Sequence, residues 1–415
     1  MSDRRAFTRN LVFSGISAVS NVFALLLLVY ATGRLSIDEM GILGIAFSFA
    51  NIGEPLMDFG IQQATLLHVA RNRSSAGAVL ANSIPIKAIT GAAMLVTLSA
   101  VAFWRYPTAA PAAVLMLFAT TIRSYLLSVR GVLQGLEQFG DEATLMLADR
   151  VLMLAGGVLA IHLGYGIPGL AFSFVVTRSV SLGLGLVLMR RHVDALRVAF
   201  DYPLWAELRA AAVPLGLFGL TLSLYNYVDV LILGDLTNDR EVGLYHNGYK
   251  IYEALTYASG ILASVLTPRY AALWTSDRAA HAQLARRGLS GAIALSLMLA
   301  PIAWWLAPTA LRLFYGADYV AASRSLRILT GGVGLIFAIW ILHAIAMSAS
   351  RSRLLLQTTL VSLVVNITLN YALIPAWHRD GAAAATVAGE AVGVVILLWG
   401  LRDVLFTRQR LTSDS

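Results

Sequence analysis

A chain of 415 residues in which 58% are hydrophobic and only 13% charged holds about half the charged share of an ordinary soluble domain, roughly 25%. With a mean hydropathy of +0.72, a water-soluble globule is excluded. The formal charge of +8 lies in short loops between apolar stretches rather than on one face, so it reads as a membrane topology signal and not as a nucleic-acid footprint.

A bilayer core asks for about 20 predominantly apolar residues per helix. The basic start, Met1 to Asn10, leads into an uncharged stretch over 10–33, longer than the roughly 7–15 residues of a signal-peptide core, and is expected to be a retained first helix. Further spans are expected over 41–67, 79–103, 111–135, 144–163 and 167–189. After the most polar interval, 190–209, come 211–234, 243–268, 288–311, 326–348, 354–374 and 382–401. The reading is an all-α polytopic membrane protein of about twelve transmembrane helices.

With the N-terminus inside, the inner segments carry 19 Arg and Lys and the outer loops 7. That bias places both termini in the cytoplasm and the protein in the inner membrane. The polar interval carries Trp205 beside its charges and is expected to lie at the cytoplasmic interface as a linker over 191–210. Trp104, Trp274 and Trp377 fall near span ends, as an aromatic belt requires.

Two segments resemble each other across the chain. Gly33-Arg-Leu-Ser-Ile-Asp-Glu-Met-Gly41 precedes the second span, and Gly234-Asp-Leu-Thr-Asn-Asp-Arg-Glu-Val-Gly243 precedes the eighth. A second pair, Gly166-Ile-Pro-Gly169 and Arg379-Asp-Gly381, precedes the sixth and the twelfth. Six spans separate the members of each pair, so the halves share one topology about an axis along the membrane normal. The expected organisation is two pseudo-symmetric six-helix bundles, 1–190 and 211–415.

Ionisable groups inside a bilayer cost on the order of 2.5–3.5 kcal/mol each on insertion scales, so they face a cavity or a partner. The spans hold the cations Lys87, Arg123, Arg150, Arg178 and Lys250 and the acids Glu54, Asp58, Asp149, Asp229, Glu253 and Glu390. At about 1.5 Å per residue, Arg123 and Arg178 fall near the midplane, while Lys87 and Arg150 enter from the cytoplasmic side. Arginine bonds phosphate in a bidentate fashion and stays charged away from water. The set therefore suits an anionic headgroup such as a pyrophosphate. Internal pairing, for example Arg150 with Asp58 or Lys250 with Asp229, is the competing reading for any one of them.

Lys250 and Glu253 share a helix face, and with Asp229 they could form a gate, a coupling site or a fixed salt-bridge cluster. Glu54 and Asp58, four apart on one face, could raise each other's pKa and carry a proton, or tie their helix to a neighbouring cation. Tyr225, Asn226, Tyr227, Asn247 and Tyr249 are candidates for sugar recognition or for ordinary helix packing. His162 and His343 do not cluster with other ligands, so no metal site is expected. No P-loop sequence occurs. Zero cysteines rule out disulfides and thiolate chemistry, and no cofactor is expected. Gly183-Leu-Gly185 and Gly331-Gly-Val-Gly334 read as close-packing points.

An ordered set of short motifs follows the repeats. They are Met40-Gly-Ile-Leu-Gly44, Leu56-Met-Asp-Phe-Gly60, Asp229-Val-Leu-Ile-Leu-Gly234, Val242-Gly-Leu-Tyr245 and Pro268-Arg, then Leu313-Phe-Tyr-Gly316 with Tyr319 and Ala322. Asn366 and Asn370 ahead of Ile374-Pro375, and Gly381-Ala-Ala with Ala385-Thr386 and Glu390, complete it. In order and spacing the set resembles the polysaccharide exporters of the multidrug, oligosaccharidyl-lipid and polysaccharide flippase superfamily. The resemblance implies two bundles around a central cavity that opens alternately to either side. It further implies movement of a polyprenyl-pyrophosphate-linked oligosaccharide across the membrane, with glycosyltransferases and a polysaccharide polymerase as working partners. A cation-coupled multidrug antiporter of the same superfamily is the nearest alternative, although 10–33 contains no acid of the kind such antiporters place in their first helix. A membrane-embedded polymerase or ligase is the other, although every outer loop is short. The chain is read as a carrier and not an enzyme.

Overall fold

The computed structural model describes residues 22–193 and 200–406. Everything described is helical or turn. The helices are α1 (Val22–Thr32), α2 (Ile37–Asp58), α3 (Ile61–Arg71), α4 (Ala76–Arg105), α5 (Ala110–Gly135), α6 (Phe139–His162), α7 (Gly166–Met189) and α8 (Tyr202–Leu236). They continue as α9 (Asp239–Ser276), α10 (Arg278–Tyr315), α11 (Ser323–Gly331), α12 (Val333–Ser348), α13 (Ser352–Gly400) and α14 (Arg402–Leu405). Eight of these are individually long and apolar enough to cross a bilayer, and the stretch Ala317–Gly331 with α12, bent by 42°, passes the same length and composition test when taken together. The chain is an all-α polytopic membrane protein, and about twelve spans fit its helices.

The differences from the expected spans have local causes. The second span breaks in two where Phe59 and Gly60 turn left-handed at φ 44° and 77°, a conformation glycine adopts without steric cost. A Cβ on Gly60 would lie 2.4 Å from the Ala212 carbonyl oxygen, so α8 crosses directly over the break. The tenth span bends at Gly332 for want of a continuous helix between α11 and α12. The last two spans form one run of 49 residues interrupted at His378, whose φ of 49° is not helical. A straight helix of that length would measure about 73 Å, against a hydrocarbon core of about 30 Å. Instead the run folds back on itself: Arg351 at its start bonds the Gly400 carbonyl at its end at 2.9 Å, and a Cβ on Gly381 would meet the Leu373 backbone at 2.7 Å. Part of the expected linker is already α8, which begins at Tyr202 under an Asp201 cap held to Asn82 at 2.9 Å; 194–199 lie outside the described residues, as does the expected first span before Val22.

The described residues form two compact units, up to Gly243 and from Leu244 onward. At the α3, α4, α5 and α8 end of the first unit, Val69, Val79, Leu80, Val129, Leu133 and Leu208 build a dry core. Gly185 serves the close packing expected of it, with Leu145, Leu126 and Val129 within 3.3 Å of where its Cβ would stand, whereas nothing lies within 4 Å of Gly183. α9, which begins in the first unit and runs on into the second, is the long helix that hydropathy alone does not identify as a span. Its first half carries Tyr245, His246, Asn247, Tyr249, Lys250, Tyr252 and Glu253, and all of these are buried or half-buried.

Candidate functional site

Within the first unit, α2, α4, α5, α6 and α7 bring the expected intramembrane charges into one chain of ion pairs. Lys87 on α4 is wholly buried and donates to Asp58 Oδ1 at 2.6 Å and to the Ser124 carbonyl on α5. The other oxygen of Asp58 accepts from the Gln62 amide at 3.2 Å, so the same carboxylate ties the start of α3 to the lysine. One turn earlier on α2, Glu54 Oε2 stands 2.5 Å from Arg123 Nε on α5. Arg123 reaches onward to Asp149 on α6, Nη1 to Oδ2 at 3.9 Å, and Asp149 is shared with Arg178 of α7. Closer to the α5 terminus, Arg130 grips Glu142 through Nε at 2.9 Å and Nη2 at 2.6 Å.

Glu54 and Asp58 do share a face, and each addresses its own cation. Their position four residues apart places Arg123 and Lys87 one helical turn apart along α2. Arg150, half-buried on α6, makes no ion pair among the described residues. Its electrostatic surroundings are Arg123, Asp149, Glu54 and Arg130. Four cations, Lys87, Arg123, Arg150 and Arg178, thus meet three acids, Glu54, Asp58 and Asp149, and the surplus positive charge falls on the one member without an acid of its own. An uncompensated cation inside a membrane span is costly unless an anion or an aqueous cavity supplies the missing charge.

The remaining candidates are divided between α8 and the second unit. Lys250 Nζ donates to Glu253 Oε2 at 2.7 Å, both side chains half-buried, and Tyr257 donates to Glu253 Oε1 at 3.4 Å. Asn247 is fully buried. Tyr245, Tyr249 and Tyr252 form a ladder of mutually tilted rings along α9, with ring centroids 5.9 and 5.8 Å apart. Asp229, Tyr225, Asn226 and Tyr227 lie on α8 in the first unit, with Asp229 buried and its Oδ1 accepting from the Val230 amide at 2.8 Å. Among the described residues no group of three or more His, Asp or Glu could hold a metal ion.

Two contacts had no signal in the residue pattern. The Ser124 carbonyl under Lys87 depends on a helix carbonyl left open to a side chain, and the bond from Tyr252 to Glu390, 2.6 Å long, joins residues 138 positions apart. Neither is periodic. Both could be found only once the helices were placed beside one another.

The sequence matches a family described as polysaccharide biosynthesis protein over residues 7–274, and a second, MatE, over residues 214–372. A curated relative, the probable low-salt glycan biosynthesis flippase Agl15 of Haloferax volcanii, is 24% identical over 394 residues, which is 91% of this chain and 80% of the relative. Among solved structures, a multidrug resistance MATE family transporter of the MOP superfamily in its inward-facing conformation superposes with a TM-score of 0.79 at 15% identity, covering 95% of this chain and 96% of that one. The lipid II flippase MurJ in an inward closed conformation gives a TM-score of 0.74 at 14% identity, covering 94% and 87%. At these identities the two structures share the fold of this chain.

Proposed function

We propose, starting from the fact that this chain belongs to the polysaccharide biosynthesis protein family within the MOP superfamily, that it is a flippase for a lipid-linked oligosaccharide with an anionic, pyrophosphate-type headgroup. The observation that carries the reading is the surplus cation of the first unit. Lys87, Arg123 and Arg178 are held by acids, whereas Arg150 makes no ion pair among the described residues. A guanidinium with no acid of its own offers a planar, bidentate donor to a phosphate without first breaking a salt bridge. The lipid tail needs no protein pocket, since it can stay in the bilayer while the headgroup crosses.

In this reading the halves 1–190 and 211–415, joined by the interfacial stretch 191–210, work as two six-helix bundles around a central cavity by alternating access. The chain resides in the inner membrane with both termini cytoplasmic. Glycosyltransferases build the substrate and a polymerase consumes it; the chain itself moves the molecule without changing a covalent bond. Membership of the family and the likeness to a glycan biosynthesis flippase support a carrier of this class. The finer assignment of the headgroup rests on Arg150.

The test is export of surface polysaccharide in a strain lacking the native gene and complemented with variants. Arg150→Glu is expected to lower export at least tenfold, and Arg150→Lys to retain part of it, both at wild-type abundance in the membrane. Full export by Arg150→Glu would overturn the anionic-headgroup reading. Loss of drug resistance with unchanged polysaccharide in the deletion strain would transfer the assignment to the antiporters.

A further inference from the structure

Glu390 lies in the second stretch of α13, 3% exposed, in a segment expected to cross the membrane. Its Oε1 accepts from the Tyr252 hydroxyl at 2.6 Å. Its Oε2 is buried and has no hydrogen-bond partner among the described residues. Among the described residues no cation pairs with it: the one lysine of α9, Lys250, is paired with Glu253. The elements around it bring little else that titrates. α9 contributes Tyr245, His246 and Tyr249 besides Tyr252; α12, which meets this stretch through Ile339 at Gly393, contributes His343; and the first stretch of α13 has no charged residue between Arg353 and His378.

An ionised carboxylate in this place would be a buried charge with a single donor and no counter-ion. A neutral carboxylic acid would leave only one polar atom under-satisfied, a far smaller penalty. The neutral form therefore wins by a wide margin. We propose that Glu390 is a proton-binding site of the second unit: it holds a proton in this conformation and exchanges it when the second stretch of α13 separates from Tyr252. The bond is well placed for such exchange, because the two groups sit on different helices and small residues surround the acid, with Thr386, Gly389 and Gly393 on its own helix. Moving one helix against the other exposes the acid to water or shuts it away again. This site is separate from Glu54 and Asp58, which are occupied by cations.

The existence of the proton site stands on the geometry of the second unit alone; only its use in driving transport rests on the flippase reading. The test needs no substrate. The full-length protein is reconstituted in lipid bilayers, and its infrared spectrum is recorded against pH for the wild type, Glu390→Gln and Tyr252→Phe. The wild type is expected to show the carbonyl band of a protonated carboxylic acid at neutral pH, lost reversibly on going alkaline. Glu390→Gln loses that band, and Tyr252→Phe keeps it at a shifted frequency. Equal bands in the wild type and Glu390→Gln would show that Glu390 is not the protonated acid. A band that persists until the protein denatures would make it a permanently neutral packing group, which equally overturns the proposal. Retention of the wild-type melting temperature by Glu390→Gln keeps the comparison free of misfolding.

Discussion

Gly41 and Gly243 face each other's helix starts: a Cβ on Gly41 would lie 1.8 Å from the Asp239 carbonyl oxygen, and one on Gly243 would lie 2.1 Å from that of Ile37. The two sites are equivalent in their helices. Ser36 caps α2 through a capping box with Glu39, and Asn238 caps α9 by accepting from the Glu241 amide at 3.0 Å; each glycine comes five residues after its cap. The sequence repeat is thus a helix start, cap, Glu and Gly, and its two copies cross within the first unit. Only an absent side chain allows backbones to approach so closely.

Replacing either glycine by alanine forces the helices apart. Gly41→Ala and Gly243→Ala are each expected to cost about 1–3 kcal/mol, the usual range for overpacking. Gly183→Ala, with open space around its Cβ, should be neutral or gain up to about 1 kcal/mol of helix propensity. Thermal unfolding of the three purified variants checks the order; equal stability of Gly41→Ala and Gly183→Ala would refute it.

Lys87→Met removes the counter-ion of Asp58 and leaves a buried carboxylate, which is expected to cost about 3–5 kcal/mol. The double variant Lys87→Met with Asp58→Asn should recover most of the loss, because the amide oxygen can still accept from the Gln62 amide. A double-mutant cycle on melting temperature measures the coupling, expected at or above the upper end of the range for contacting pairs, about 3 kcal/mol or more. Strict additivity would mean that the pair is not formed.

Asp149 balances two arginines, Arg123 and Arg178. Asp149→Asn leaves Arg178 without its acid while Arg123 keeps Glu54, and a loss of about 3–5 kcal/mol is expected. Adding Arg178→Met to it should restore part of the stability but not export. Export and membrane abundance, measured together, separate the two effects.

Asp239 stands at the start of α9, ahead of the expected span. Burial pushes its carboxyl up from the usual value of 3.8, the bond from Thr108 opposes this, and the like charge of Asp38 adds to it. The folded state then binds the proton more tightly than the unfolded chain, so this group adds stability that is fully present below the unfolded value and fades as pH rises through the folded one. Asp239→Asn should flatten the pH dependence of the melting temperature from the ordinary carboxylate range upward. A steeper dependence in the variant would reverse the sign and contradict the burial of this group.

Much of this architecture could be read from the residues, and for a definite reason. A hydrocarbon core imposes one length and one polarity on every crossing helix, so spans such as 111–135 and 167–189 are found to within a residue or two. The repeat running from Gly33 to Gly41 and from Gly234 to Gly243 was equally visible, because it is a run along the chain; that Ser36 and Asn238 cap the two helix starts came from the structure. The breaks at Phe59, Gly332 and His378 were less so. Each occurs inside an otherwise apolar run, where composition stays constant while backbone direction changes.

What the sequence by itself determined was residence in the membrane, the approximate set of spans, the repeat, and the presence of more intramembrane cations than acids in the first half. The tertiary structure alone decided who partners whom. Lys87 and Arg178 each pair with an acid 29 residues away, and Arg150, one residue beyond Asp149, has no ion-pair partner among the described residues. Partner choice of this kind depends on helix rotation and on which helices lie side by side. Periodicity along a single helix says which residues share a face, but not what that face meets.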